Sequence, residues 1–562
     1  MQQNKRHIKR IFYLLLLIAG INIVSSVVFK RLDLTEDRRY TLSEATVETF
    51  EDVDSPILIE VLLEGDFPAE FRRLQSETRQ LLEEFAARNR NVKYIFVNPT
   101  EDADNPDEVR ARLAQIGVTP AQVSVQQSGR ITRELVYPWA IISYEERMVK
   151  VPLLKNQLGS TTEERVLSSV QNLEYAFADA FNKVIHPKKR KVAVLKGNGQ
   201  MEDRYIADFF STLRDYYFIA PYTLDSVATD PVRSLEQLST FDLIVSAKPT
   251  ERFTDAEKYV LDQYTMRGGK SLWLVDQVQV SMDSLFERGS TFAFNRDLNL
   301  TDFFFRYGVR INPALVNDLY SAPIVLATGT EADSQYNQYP WFYSPLSSST
   351  SEHPIVNNIE AVKFDFANAI DTLENDIQKT VLLSSSPITR TVGTPVEIRL
   401  DEIEFNLNVV NNGPDMQQFS AGEIPLAVLL EGSFPSVYRN RVKPFALDKH
   451  LDEGVENKMV VISDGDVIKN QLQGNRPIEL GFDKWTNTRY GNKEFLLNTV
   501  NYLLDDTGLI NIRSKEISIA FLDPQKVVEQ KTKWQVLNLL LPLGILAVFG
   551  MGFTYFRKKK YT

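Results

Sequence analysis

The residues of this 562-residue chain that could do chemistry are few. Asp464-Gly465-Asp466 follows the apolar run Met459–Ser463 and could offer two carboxylates to Ca²⁺, but no third or fourth acid follows at ligand spacing, so a surface turn is expected. The four histidines, His7, His186, His353 and His450, form no HxH or HExxH pair, and no GxSxG elbow marks a nucleophilic serine. Arg267-Gly268-Gly269-Lys270-Ser271 looks like part of a phosphate loop. The full pattern needs Gly at 264, where the chain has Tyr264, and the stretch follows a helix pattern and opens a strand pattern, the reverse of a P-loop. It reads as a helix end and a turn. The chain has no cysteine, which removes thiol nucleophiles, Cys-ligated zinc and redox pairs together. No catalytic residue, metal site or cofactor is expected.

Binding residues are the remaining candidates. Lys196-Gly-Asn-Gly-Gln200 closes a strand pattern with a lone GxG, so Lys196, Asn198 and Gly199 are candidate ligand contacts, with a plain glycine turn as the alternative. VLLEGDFPAEFR at 61–72 is echoed by VLLEGSFPSVYR at 428–439. Ligands gather at the carboxyl ends of strands in open α/β sheets, which makes Glu431, Ser433 and Phe434 candidates. The surroundings of the two copies do not align, and a strand leaving a sheet commonly ends in Gly, an aromatic and Pro, so turn chemistry is the preferred reading. Tyr336–Tyr343 holds five aromatics in eight residues, including Tyr339, Trp341 and Phe342. Such a cluster is a partner surface when exposed and a subdomain core when buried.

Elements that would position these residues follow from periodicity. Residues 56–185 run β-α-β-α-β-β-α, the order of a thioredoxin-like unit, with GDFPAEF where such folds keep their redox pair. Residues 190–505 alternate strand and helix with short turns, as a parallel sheet covered on both faces does, interrupted at about 278–420 by an insertion rich in Asn, Ser and aromatics. Segments 30–55 and 506–533 join these domains to the chain ends. In the first, Thr41 and Glu44 have the spacing of a capping box.

Both ends are apolar. Residues 11–29 carry no charge, nor do 535–556, and each run is long enough to cross a hydrocarbon core of about 30 Å. Transmembrane helices are therefore expected at 11–29 and 534–556, the first uncleaved because no small-x-small site follows it. The tails 1–10 and 557–562 each hold four Lys/Arg and no acid, which places both in the cytoplasm and the bulk across the membrane. The whole chain carries −11 and the tails together +8, so the residues between them carry −19 and would repel nucleic acid.

Several stretches together resemble the GldG-type auxiliary component of gliding-motility ABC transporters. They are RLDLTEDRRYTLSEAT, FDLIVSAKPTERFTDAEKYVLDQYTMRGGKSLWLVD, VVISDGDVIKNQ and ELGFDKWTNTRYGNKEFLLNTVNYLLDDTGLINIRSKEI, in that order and followed by the C-terminal apolar run. The resemblance covers nearly the whole chain. It implies a bacterial inner-membrane protein partnered by an ABC permease subunit and a cytoplasmic ABC ATPase, with a periplasmic, substrate-binding-labelled bulk. It also implies an amidotransferase-like, flavodoxin-like sheet in the larger domain. The amidotransferase nucleophile is Cys, which this chain lacks, so that activity does not carry over. The expectation is a non-enzymatic docking component, with a small-solute or cell-wall-fragment binding domain as the alternative.

Overall fold

The computed structural model describes residues 41–514 and 524–561, except 50–52, 66, 102–103, 128–129, 156–158, 329–334, 349–350 and 506–507, together with scattered positions between 13 and 22. The expected first span at 11–29 lies almost wholly outside the described residues, as do the tail 1–10 and segment 30–40. The chain divides into two units at Lys515/Glu516.

In the first unit a short helix α1 (Glu44–Glu48) is capped by Ser43, whose Oγ accepts from the Thr46 N–H at 3.2 Å. Thr41 is therefore not the cap. Alternating Ile57, Ile59 and Val61 are fully buried and form β1 (Ile57–Val61). The helix α2 (Ala69–Arg88) buries Phe71, Leu74, Leu81, Leu82 and Phe85, the one-faced spacing of an amphipathic helix. Next come β2 (Val92–Phe96), α3 (Pro106–Gln115), a hairpin of β3 (Ala121–Gln127) and β4 (Arg130–Val136), then β5 (Trp139–Tyr144) and β6 (Arg147–Pro152). The sheet order is β2-β1-β5-β6: β1 is parallel to β2 and antiparallel to β5, and the β3/β4 hairpin pairs apart from it. The helix α4 (Thr162–Ile185) starts on a Thr161/Glu164 capping box and packs on α2, with Phe85 and Phe181 edge-to-face at 5.2 Å.

A seven-stranded sheet follows. Its parallel part comprises β7 (Lys191–Lys196), β8 (Phe218–Thr223), β9 (Leu243–Ala247), β10 (Lys270–Leu274) and, much later in the chain, a strand labelled β16 below (Glu453–Ile462). Helices α5 (Asp203–Leu213), α6 (Pro231–Leu238) and α7 (Asp255–Met266) provide the crossovers. Strands β9 and β10 are apolar nearly throughout, as strands buried on both faces must be. One apolar cluster gathers α5 and one set of strand residues, and the opposite face packs α6, α7 and residues 298–311 around Trp273.

Between β10 and β16 the chain builds small sheets. A three-stranded one joins β11 (Val309–Asp318), β12 (Asn368–Thr372) and β14 (Thr389–Gly393). Within the same stretch β13 (Gln378–Ser384) returns to the main sheet as its edge and pairs antiparallel with β15 (Pro425–Pro435), which itself runs antiparallel to β16. The helix α8 (Asn492–Leu504) ends the domain. Glu494 in its first turn accepts from Lys155 Nζ at 2.9 Å and Arg513 Nη2 at 2.8 Å. Arg513 also donates to the Asn357 carbonyl, and the Arg513 carbonyl accepts from Asn357 Nδ2. This node ties the end of the N-terminal sheet and the exit segment to one carboxylate, and the same two cations donate to carbonyls of the inserted loop at 357–358.

The second unit is the helix α9 (Pro524–Tyr561), with Pro542 inside it. Its part Glu529–Lys559 is long and apolar enough to cross a membrane and is unburied.

Candidate functional site

The carboxyl ends of β9, β10 and β16 converge on one charged cluster. Lys248 follows β9, Asp276 lies just beyond β10, and Asp464-Gly465-Asp466 follows β16. Lys248 Nζ lies 3.0 Å from Asp276 and is also paired with Asp466. The Gly465 N–H donates to Asp276 Oδ1 at 2.5 Å. Asp464 is fully buried and accepts the N–H groups of Asp466 and Asp365, each at 2.7 Å. The expected surface turn is therefore a buried turn. Its carboxylates are tolerated because Lys248 supplies the charge and backbone amides supply the hydrogen bonds. Lys248 takes φ 53°, the left-handed region, beside Gly465, where a Cβ would come within 2.5 Å of Lys248 Cβ.

Electrostatics follow from this packing. Burial pulls the Lys248 ammonium down, but Asp276, Asp466 and Asp464 outweigh it and raise it above the ordinary lysine value. Burial pushes Asp466 up, and Lys248 with Lys469 overcomes that and holds it below the usual range. Asp464 has no ammonium of its own, and burial with the charges of Asp466 and Asp276 pushes it well above that range. Among the described residues no group of three or more His, Asp or Glu is placed to hold a metal ion. The ammonium of Lys248 stands between the carboxylates where a cation would bind.

Above the cluster opens a cavity of about 740 Å³, within the size range of small-molecule sites. The insertion walls it with Arg296, Trp341, Asp365 and Phe366, and the segment after β16 with Lys469, Phe482, Asp483 and Trp485. Tyr490 and Asn492, at the start of α8, complete it. At its exposed rim Trp485 lies 5.1 Å, ring to ring, from Tyr336.

Residues 189–499 match the family described as an ABC-type uncharacterized transport system, auxiliary component, and they span more than half of the chain. The chain belongs to this transport-auxiliary family. Residues 36–143 match a domain of unknown function, DUF7088. An uncharacterized protein of Borreliella burgdorferi is 19% identical over 541 residues, covering 96% of this chain and 95% of its own. The solved N-terminal domain of mmIFT52 is 14% identical, covers 56% of this chain and 97% of its own, and superposes with a TM-score of 0.31, too low to carry a fold argument.

In this auxiliary protein the sequence-derived candidates do not form one site. Because β15 runs against its neighbour, Pro435 sits opposite Glu453 at the start of β16, so Glu431, Ser433 and Phe434 lie at the end of the sheet away from Lys196, Asn198 and Gly199. Glu431 accepts from Tyr502 Oη at 2.9 Å, Ser433 Oγ donates to the Gly454 carbonyl at 2.7 Å, and Phe434 is buried against Tyr307. At the other end Lys196 pairs with Asp203 at 2.6 Å. The carbonyl of Asn198 accepts from Thr250 and Glu251 N–H, and Gly199 packs on Thr250 with φ 66°. Only Thr250 of these neighbours lines the cavity.

The aromatic cluster is mainly core. Trp341 and Phe342 are fully buried, Phe342 beside Phe419 at 5.9 Å, and Tyr339 is half-buried in the inserted hairpin. Trp341 alone of the three lines the cavity. The helix-to-strand reading of Gly268-Gly269-Lys270 holds, since α7 ends at Met266 and β10 opens at Lys270. His450 bridges Tyr259 Oη at 2.9 Å and Asp452 at 3.0 Å. Burial, with Asp262, pushes that tyrosine up to about 12 and it packs against Tyr438 and Phe445, so the chain of hydrogen bonds holds a loop rather than presenting a base. Sequence reading missed Lys248, Asp276 and Arg296. The strand ends before Lys248 and Asp276 were the available signal; Arg296 gave none.

Proposed function

We propose that this protein is a non-enzymatic, membrane-anchored accessory component of an ABC transporter. Its partners in this reading are a permease subunit and a cytoplasmic ATPase, and its bulk lies on the extracytoplasmic side. The observation that carries it is the family match across 189–499 on a chain that also holds an unburied, apolar helix at Glu529–Lys559. A second anchor at 11–29, cytoplasmic ends and a role linked to gliding motility complete the proposal; the first two rest on charge and hydropathy, the last on the GldG-type resemblance. The sheet order β2-β1-β5-β6 supports a thioredoxin-like N-terminal unit, without redox residues. An anchored protein cannot shuttle solute, so its work is docking, with holding a solute at the transporter mouth as the second reading, favoured by the 740 Å³ cavity.

Membranes solubilised in mild detergent and purified through a tag on the C-terminal tail test this. Stoichiometric recovery of an ATPase and a multi-span permease is the expected result. Recovery of the chain alone would overturn the stable complex.

A further inference from the structure

Charge in the cavity is unevenly committed. Five cationic side chains line it: Lys248, Arg296, Lys363, Lys469 and Lys484. Lys248 is held by Asp276 and Asp466, Lys363 lies 3.2 Å from Asp365, and Lys469 lies 3.6 Å from Asp466. Lys484 is exposed and donates to the Leu472 carbonyl. Arg296 differs: it is half-buried and, among the described residues, has no carboxylate within ion-pair distance. Among the described residues its side chain makes one hydrogen bond, from Nη1 to the Pro249 carbonyl at 3.3 Å, and its buried Nε has no partner. Burial acts to lower its basicity, and Asp276 and Asp466 oppose that only from a distance.

A guanidinium carries five N–H donors and does not lose its charge in proteins, and a buried donor without an acceptor is costly, so the Nε of this half-buried side chain favours a group that accepts from it. The site is built to keep it in place. The Arg296 N–H donates to the Gln277 carbonyl at 2.8 Å, and its own carbonyl accepts from Gln277 Nε2 at 2.8 Å. Trp341, another wall of the same cavity, is fully buried with its indole N–H unpaired. Two residues of one cavity wall therefore each carry a buried donor without an acceptor. Of the carboxylates around the cavity, Asp276 and Asp466 share Lys248, Asp466 also has Lys469, Asp365 has Lys363, Asp483 accepts the Trp485 N–H, and Asp283 lies exposed at the rim.

We propose that Arg296 is the anion-reading residue of this cavity, and that the ligand is a small solute bearing a carboxylate or phosphate, with Trp341 as a second donor and the rings of Phe366 and Tyr490 against its body. A planar fork suits either oxyanion in bidentate fashion, which a lysine cannot reproduce. The inference rests on the solute-holding reading of the cavity and is independent of which subunits the protein docks.

The test is calorimetric titration of the full-length protein in detergent with inorganic phosphate, with succinate and with neutral glycerol, at constant ionic strength set by chloride. Saturable binding of phosphate or succinate is expected, and whichever binds names the oxyanion. Arg296→Ala should weaken it by about tenfold or more, the loss typical of a charge-assisted contact, and Arg296→Lys should fall between. Arg310→Ala, which removes an exposed arginine paired with Asp371, should leave binding unchanged. If Arg296→Ala does not fold, Arg296→Gln and Trp341→Phe carry the same comparison. Absence of saturable anion binding by the wild type, or equal binding by the Arg296 variants, would overturn the proposal. Saturable binding of glycerol alone would overturn the anion assignment while leaving the cavity a solute site.

Discussion

Replacing Lys248 with methionine should reverse the pH dependence that Asp466 contributes to stability in the sheet-end cluster. The side chains of Lys248, Asp276 and Asp466 are 20%, 11% and 16% exposed, so the ammonium is the main neutraliser of two nearly buried carboxylates. Removing one partner of such a group leaves uncompensated buried charge and costs ~3–5 kcal/mol. Methionine keeps the length of the stem and pays the same backbone cost at φ 53°, so the difference reports charge. In the wild type Asp466 is held below its unfolded value; the stability this gives is present above about pH 4 and lost as pH falls through the folded value. In the variant the orphaned carboxylates are raised instead. Their penalty is then full at high pH and shrinks as pH falls and they take up protons, by at most ~1.4 kcal/mol per pH unit for each group. Urea unfolding of the full-length protein in detergent, followed by tryptophan fluorescence from pH 8 to pH 5, should show a gap of ~3 kcal/mol narrowing on acidification. Lys458→Met, which removes a cation 33% exposed and 3.5 Å from Glu431, should cost only ~0–1 kcal/mol. A gap at Lys248 no larger than this control, or one that does not change with pH, would refute the account.

Two further outcomes follow from local geometry. Gly465→Ala should destabilise by ~1–3 kcal/mol, because the new methyl meets the Cβ and Cα of Lys248 rather than a side-chain tip; Gly393→Ala, with nothing within 4 Å, is the matched control for the urea midpoint. His353 is lowered by burial, its Nδ1 accepts the Ile355 N–H at 3.3 Å, and the neighbouring charges Glu431 and Lys458 pull in opposite directions. Unfolded histidine binds a proton below pH 6.5 while the folded one resists, so this contribution is complete above pH 6.5 and lost below it; the stability difference between wild type and His353→Gln should narrow between pH 7.5 and pH 5.5, and a constant difference would refute it.

Much of the architecture was legible in the sequence. Most of the strand–helix alternation in 56–185 and 190–275 is visible in its periodicity, and so is the break after β10, but reading the sequence yields two strands where β3 to β6 form four and misses the crossover helix α6. The direction of β15 was not, because Ala-Val-Leu-Leu is apolar on both faces and reads alike in either sense. That one reversal separates the candidates at 431–434 from those at 196–199. Asp464 looked like a surface turn because its setting is assembled from Lys248, Asp276 and Asp365, none of them near it in the chain. Arg296 lies in an irregular stretch with no periodic pattern, and its significance is the absence of a neighbour, which no local spacing encodes.

The Glu494 node has a dynamic consequence. Lys155 closes the N-terminal unit's last strand region and Arg513 begins the chain's exit, yet both are tied to one helical turn and both donate to residues 357–358 of the insertion. Segments that share a counter-ion cannot open one at a time without stranding the other's charge. Backbone amides across these distant stretches should therefore exchange with solvent at one common opening free energy, as a single cooperative unit rather than as separately fraying pieces.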